Sequence, residues 1–139
     1  MRFLHLSDEQ AMDHPTSQFK TLRGLARMAG ACRNTWDGFR WAWRSEEAFR
    51  HEVLAFAVLG VVALVLPVSG LQKLALVGVL VLVLIVELVN SAIEATIDRI
   101  SLERHPLSKA AKDLGSAAVA LGLLLALAVW AVVLYNRFL

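Results

Sequence analysis

The sequence has 139 residues, 58% hydrophobic and 19% charged, which fits a single domain and is too apolar for a soluble one unless much of its surface meets lipid. Its one cysteine, Cys32, lies in a basic polar stretch without a second thiol or His at metal spacing, which excludes an intrachain disulfide framework and argues against redox chemistry. The net charge of +2 says less than its distribution, because eight of the 14 Lys and Arg residues precede position 51.

Residues 1–18 carry scattered charges and no apolar run ending in a small-residue cleavage site, so they do not read as a signal peptide. They are expected to be a flexible lead-in to one domain spanning 19–139. Over 19–31, Phe19, Leu22, Ala26 and Ala29 gather on one helical side and Lys20, Arg23 and Arg27 on another. A second amphipathic segment, 34–44, groups Trp36, Phe39 and Trp43, flanked by Arg33, Arg40 and Arg44. Together they predict a surface helix over about 19–46 at the lipid headgroup boundary, where indole rings settle and Arg meets anionic lipid. The same residue types can stack on and neutralise nucleic acid, but the apolar spans that follow favour the membrane surface.

Glu46, Glu47, Arg50 and Glu52 precede 19 residues without a charge, 53–71, with Pro67 and Gly70 marking a turn. A second charge-free run, 74–86, has only 13 residues and reaches membrane length only by including the acidic stretch after it. The third, 114–136, is uncharged throughout, with Trp130 and Tyr135 placed for an interfacial belt. The expected architecture is an all-α membrane protein with spans over about 50–68, 72–98 and 110–136. Arg33, Arg40, Arg44 and Arg50 precede the first span, and Arg99, Arg104, Lys109 and Lys112 lie between the second and third. The turn between the first two spans has only Lys73 and the tail only Arg137, so the N-terminus is expected inside and the C-terminus outside.

The stretch V-E-L-V-N-S-A-I-E-A-T-I-D-R at 86–99 places Glu87, Asn90, Glu94 and Asp98 on one narrow helical face, with Ser91 beside them. Acids at a membrane span are costly, so they face a partner, a cavity or a cation. Topology brings them to the depth of Glu46 and Glu52, and of Lys109, Lys112, Asp113 and Ser116, which share a face of the third span. Two glutamates from different segments suit Mg²⁺, a lysine suits phosphate, and a further carboxylate can deprotonate or orient a hydroxyl. The competing reading is a network of structural ion pairs in which Glu94 or Asp98 binds Lys112 or Arg99. No Gly-rich phosphate loop, zinc-protease motif or serine-nucleophile motif is present. His105, beside Pro106, fits either a nucleotide contact or exposed loop, and the small residues Gly115, Ser116, Ala117, Ala118, Ala120 and Gly122 suit close helix packing.

At these residues the chain resembles the prokaryotic diacylglycerol kinase family of membrane lipid kinases. The stretch at 86–99, then His105, A-K-D-L-G-S-A-A at 111–118 and W-R-S-E-E-A-F-R-H-E at 43–52 follow the family pattern in order and spacing, over about Arg27 to Tyr135. The resemblance implies a homotrimeric helical bundle of chains with three membrane helices and a surface helix each, with active sites shared between subunits. It also implies direct transfer of the ATP γ-phosphate to the primary hydroxyl of diacylglycerol with Mg²⁺, at a bacterial inner membrane with the active site cytoplasmic. By matching position, Glu87 is the general base, Asn90 a positioning residue, and Glu46 and Glu94 the metal ligands. Arg27, Glu103, His105, Lys112 and Asp113 fall at the nucleotide, and Arg40, Trp43, Phe49, Glu87 and Ser116 near the lipid. Gly30, Asn34 and Glu47 depart from the well-known member of the family.

Three rival functions follow from the same residues. An undecaprenol kinase of the same family is countered by the Ala-Phe and Arg-His of the 43–52 segment. A small membrane transporter using Glu87 as an ion site gives Lys112, Asp113 and Glu46 no role. A purely structural scaffold leaves the acidic face unexplained.

Overall fold

The computed structural model describes residues 25–100 and 105–139, which form four helices: α1 (Leu25–Ser45), α2 (Glu47–Val65), α3 (Gly70–Ile100) and α4 (Pro106–Phe138). The lead-in 1–18, the start of the predicted surface helix at 19–24, and Glu103 lie outside the described residues. The chain divides into two units, Met1–Trp36 and Asp37–Leu139, with α1 running from the first into the second.

Where both are described, the two amphipathic segments form one uninterrupted helix, α1. No proline lies between Ala31 and Asn34, and the single Gly30 lowers helix propensity without stopping propagation. In the first unit, Thr35 returns its hydroxyl to the Ala31 carbonyl at 2.9 Å, and Arg27, Arg33 and Trp36 are exposed.

In the second unit, α1 ends in a joint at Glu46, whose extended backbone (φ −109°, ψ 115°) separates it from α2. The Phe39 and Phe49 rings, 6.3 Å apart between centroids and tilted by 32°, pack the two helices across that joint. The Arg50 guanidinium donates to the Trp43 carbonyl at 3.2 Å, one of those left open at the end of α1.

The turn after α2 carries Pro67, and α3 then opens with a reciprocal cap. The Ser69 N–H donates to Gln72 Oε1 at 2.9 Å and the Gln72 N–H to Ser69 Oγ at 3.3 Å, the capping-box arrangement that stops free amides fraying. Lys73 Nζ donates to the Leu64 carbonyl at the end of α2. This early start gives α3 31 residues, about 46 Å at 1.5 Å per residue. That settles the shortness of the second apolar run: the span begins at Gly70, and the acidic stretch is its continuation.

The helices α2, α3 and α4 are each long and apolar enough to cross a membrane. α3 packs against both α2 and α4 and holds more of the buried residues than any other helix. At the turn end, Ala63, Leu76 and Val133 form the core, with Val129 and Trp130 packed on it. Most other apolar side chains of the three helices, such as Leu54, Val61, Leu74, Leu121 and Leu124, are exposed, as lipid-facing residues are.

Candidate functional site

A hydrocarbon layer of about 30 Å takes about 20 residues of helix. Counted from Gly70, that length places Glu87 and Asn90 at its far edge and Glu94 and Asp98 beyond it. The site grows out of this edge, where the polar face of α3 meets the N-terminal turns of α2 and α4.

Glu87, Asn90 and Ser91 are the buried polar residues among those described, at 3%, 8% and 2% exposure. The Asn90 Nδ2 donates to Glu94 Oε1 at 3.1 Å, one helical turn on, while Asn90 Oδ1 and Ser91 Oγ are buried without a hydrogen-bond partner. Asn90 lies against Gly115 of α4, so closely that a Cβ built on Gly115 would collide with Asn90 Oδ1 and stand 3.2 Å from its Cγ. One heptad on, Gly122 faces Val83 at ordinary van der Waals distance. Of the six small residues read as helix packing, Gly115 and Gly122 are buried, whereas Ser116, Ala117, Ala118 and Ala120 are exposed in the single chain.

The carboxylates collect around Glu87. Glu94 and Glu46 both lie within Coulombic reach of it, as does Glu52. Glu46, half-buried at the joint, makes no capping hydrogen bond with its side chain, so its oxygens stay available. Lys112 bridges α3 and α4 by an ion pair to Asp98 Oδ1 at 2.6 Å and also lies in reach of Glu94. Lys109 pairs with Asp113 on the exposed face of α4. Of the ion pairs read from the sequence, Asp98–Lys112 is present, and Lys109–Asp113 is a further one, while Glu46, Glu52, Glu87 and Glu94 have no salt-bridge partner among the described residues.

Among the described residues no three His, Cys, Asp or Glu side chains converge into a ready metal cage. That donor set still fits Mg²⁺, which takes one or two protein carboxylates and completes its shell with phosphate and water. Glu46 makes no side-chain capping bond, Glu94 keeps one oxygen outside its bond from Asn90, and both lie within Coulombic reach of Glu87.

The remaining predicted residues are more scattered. His105 is the N-cap of α4: its Nδ1 accepts from the Leu107 N–H at 3.2 Å, and Pro106 takes the first helical position, where a missing N–H costs nothing. Arg27 is exposed in the first unit, and Arg40, Trp43, Asp113 and Ser116 are exposed in the second. Phe49 is buried at the α1–α2 joint.

Sequence reasoning left one feature unnoticed. An apolar cavity of about 450 Å³ runs among α2, α3 and α4, lined by Phe56, Leu59, Leu80, Leu123 and Leu134, with Glu52 and Trp130 as its polar members. Glu52 Oε2 and Trp130 Nε1 are both buried without partners. None of Arg40, Trp43, Phe49 and Ser116 lines it. The available signal was Glu52 itself, an acid placed directly before a charge-free span.

Comparison with known proteins gives one consistent result. The family model for prokaryotic diacylglycerol kinase matches residues 33–134. A diacylglycerol kinase of Pseudomonas aeruginosa is 51% identical over 118 residues, covering 85% of this chain and 96% of that protein. Diacylglycerol kinases of Escherichia coli K12 and Haemophilus influenzae are 43% and 35% identical, covering 83% and 81% of this chain and 94% and 95% of theirs. The three membrane-length helices and the acidic row at the end of α3 therefore belong to a kinase, and the chain is a member of the prokaryotic diacylglycerol kinase family.

Proposed function

We propose that this chain phosphorylates the primary hydroxyl of diacylglycerol, giving phosphatidic acid, with ATP as the donor. The observation that carries the reading is Glu87: a carboxylate 3% exposed, without an ion-pair partner among the described residues, within Coulombic reach of Glu46 and Glu94 in the polar cluster and of Glu52, which lines the apolar cavity. A kinase acting on a membrane lipid needs these two surroundings at one point.

A carboxylate held away from water is a stronger base, and Glu87 takes the proton of the lipid hydroxyl as its oxygen attacks the γ-phosphorus. The bond from that phosphorus to the bridging oxygen breaks in line, and ADP leaves with the electron pair. Glu46 and Glu94 would hold Mg²⁺, which supplies charge neutralisation at the β- and γ-phosphates when bound. Asn90 fixes Glu94 through its amide. Lys112, held towards α3 by Asp98, offers a point charge to phosphate, with Asp113 beside it. Arg27, Glu103 and His105 serve the nucleotide, and Arg40, Trp43, Phe49 and Ser116 the lipid, on the strength of position in the family pattern. The cavity bordered by Glu52 has the lining to receive an acyl chain.

The working unit is a homotrimer with sites closed by neighbouring copies, in the inner membrane of a bacterium, with the N-terminus and the site on the cytoplasmic side. The half-buried state of Glu46, Glu94 and Lys112 in one chain, and the many exposed apolar side chains, support closure by further copies. The Lys and Arg distribution supports the orientation. The boundaries read from the sequence, a lead-in over 1–18 and a kinase domain over 19–139, remain part of this proposal.

The deciding experiment is transfer of radiolabelled γ-phosphate from ATP to diacylglycerol, monoacylglycerol, ceramide and undecaprenol by the purified protein. Diacylglycerol is expected to take the label fastest. Labelling of undecaprenol with diacylglycerol left blank overturns the substrate assignment.

A further inference from the structure

The close approach of Asn90 to Gly115 is unexplained by helix packing alone. Close helix contacts usually place small residues against small residues or against an apolar ridge, as Gly122 does with Val83 at 3.8 Å. At Gly115 the neighbour is a primary amide that is itself buried, with one end hydrogen-bonded and the other without a partner. An orphaned buried acceptor is costly, and a rotation of the amide that relieved it would take Nδ2 away from Glu94. The amide oxygen lies where any other residue at 115 would put its Cβ, so a side chain there would displace the amide from this position.

We propose that Gly115 is a positioning residue for the metal and nucleotide end of the site. Lacking a Cβ, it lets the Asn90 amide lie flat against α4 in the one orientation that holds the Glu94 carboxylate through Nδ2. This rests on the reading of Glu94 as a ligand of the metal–nucleotide complex, and it adds a residue that touches neither substrate. Two residues are then set by one missing methyl group: Gly115 fixes Asn90, and Asn90 fixes Glu94. Alanine favours a helix more than glycine does, so harm from Gly115→Ala cannot come from helix propensity. Gly78, whose added Cβ meets nothing within 4 Å, is the matching control.

The test compares Gly115→Ala, Gly78→Ala, Asn90→Ala and the Gly115→Ala/Asn90→Ala double variant in the full chain. One readout is the Mg²⁺ titration of activity. The other is the side-chain amide resonance of Asn90, followed with labelled asparagine and without turnover. Gly115→Ala is expected to shift that resonance and to raise the half-saturating Mg²⁺ concentration about tenfold, the scale of losing an outer partner of a metal ligand. It should add nothing to Asn90→Ala, while Gly78→Ala stays at wild type. An unmoved resonance, or independent and additive losses in the double variant, overturns the inference even if Glu94→Gln does alter Mg²⁺ use. An unchanged Mg²⁺ titration in Glu94→Gln overturns the ligand reading instead, and a shifted Asn90 resonance then supports the packing relation alone.

Discussion

At the turn end of the α3–α4 contact, Leu76 is fully buried against Ala63 and Val133, and that interior is apolar apart from the Trp130 N–H. At the opposite end, Glu87, Asn90 and Ser91 are buried to a similar degree, yet two of their polar atoms lack partners and the carboxylate lacks a cation. Each such group costs on the order of 1–3 kcal/mol relative to a satisfied one. The first end holds the helices together. The second end carries more of this cost, which is what the proposed site around Glu87 requires.

Substitutions at the two ends should therefore separate activity from stability. The largest effect is expected from Glu87→Gln, which keeps the shape and removes the proposed base. Its turnover should fall by about a thousandfold, with the oligomer and the resistance to denaturing detergent intact; near wild-type turnover would remove Glu87 from the mechanism. At the other end, Leu76→Ala should lower stability by about 2 kcal/mol in a detergent-unfolding titration, with turnover per folded protein unchanged. Glu46→Gln and Glu94→Gln should each raise the Mg²⁺ requirement by about ten- to a hundredfold, read as a shift of the titration midpoint at saturating lipid. The smallest effect belongs to the exposed Lys109–Asp113 pair on one helix. Lys109→Gln should change stability by no more than about 0.5 kcal/mol, and a larger loss would mean that Lys109 works elsewhere than in this pair.

Much of the polar end was legible in the sequence. Glu87, Asn90, Glu94 and Asp98 share a face by helical period alone, and the depth of Glu87 followed from the shortness of the charge-free run before it. Other features were not legible, because they depend on contacts between helices. The register that sets Gly115 against Asn90, and not one residue away, comes from how α3 and α4 pack along their full lengths. The cavity beside Glu52 needs all three helices to exist. No glycine or proline marks the α1–α2 break at Glu46, where Phe39 meets Phe49; the expectation of a surface helix to about 46 and a span from about 50 came from the change in apolar pattern alone.

The joint at Glu46 also ties two quantities that are separate in most enzymes. The same φ and ψ set the direction in which α1 leaves the span and the point in space where this carboxylate sits. A bilayer that is thinner, thicker or more crowded tilts an interfacial helix. On the proposed reading of Glu46 as a metal ligand, a change of that tilt taken up at the joint would also move a ligand, which makes the thickness of the surrounding lipid a variable of the proposed site's alignment.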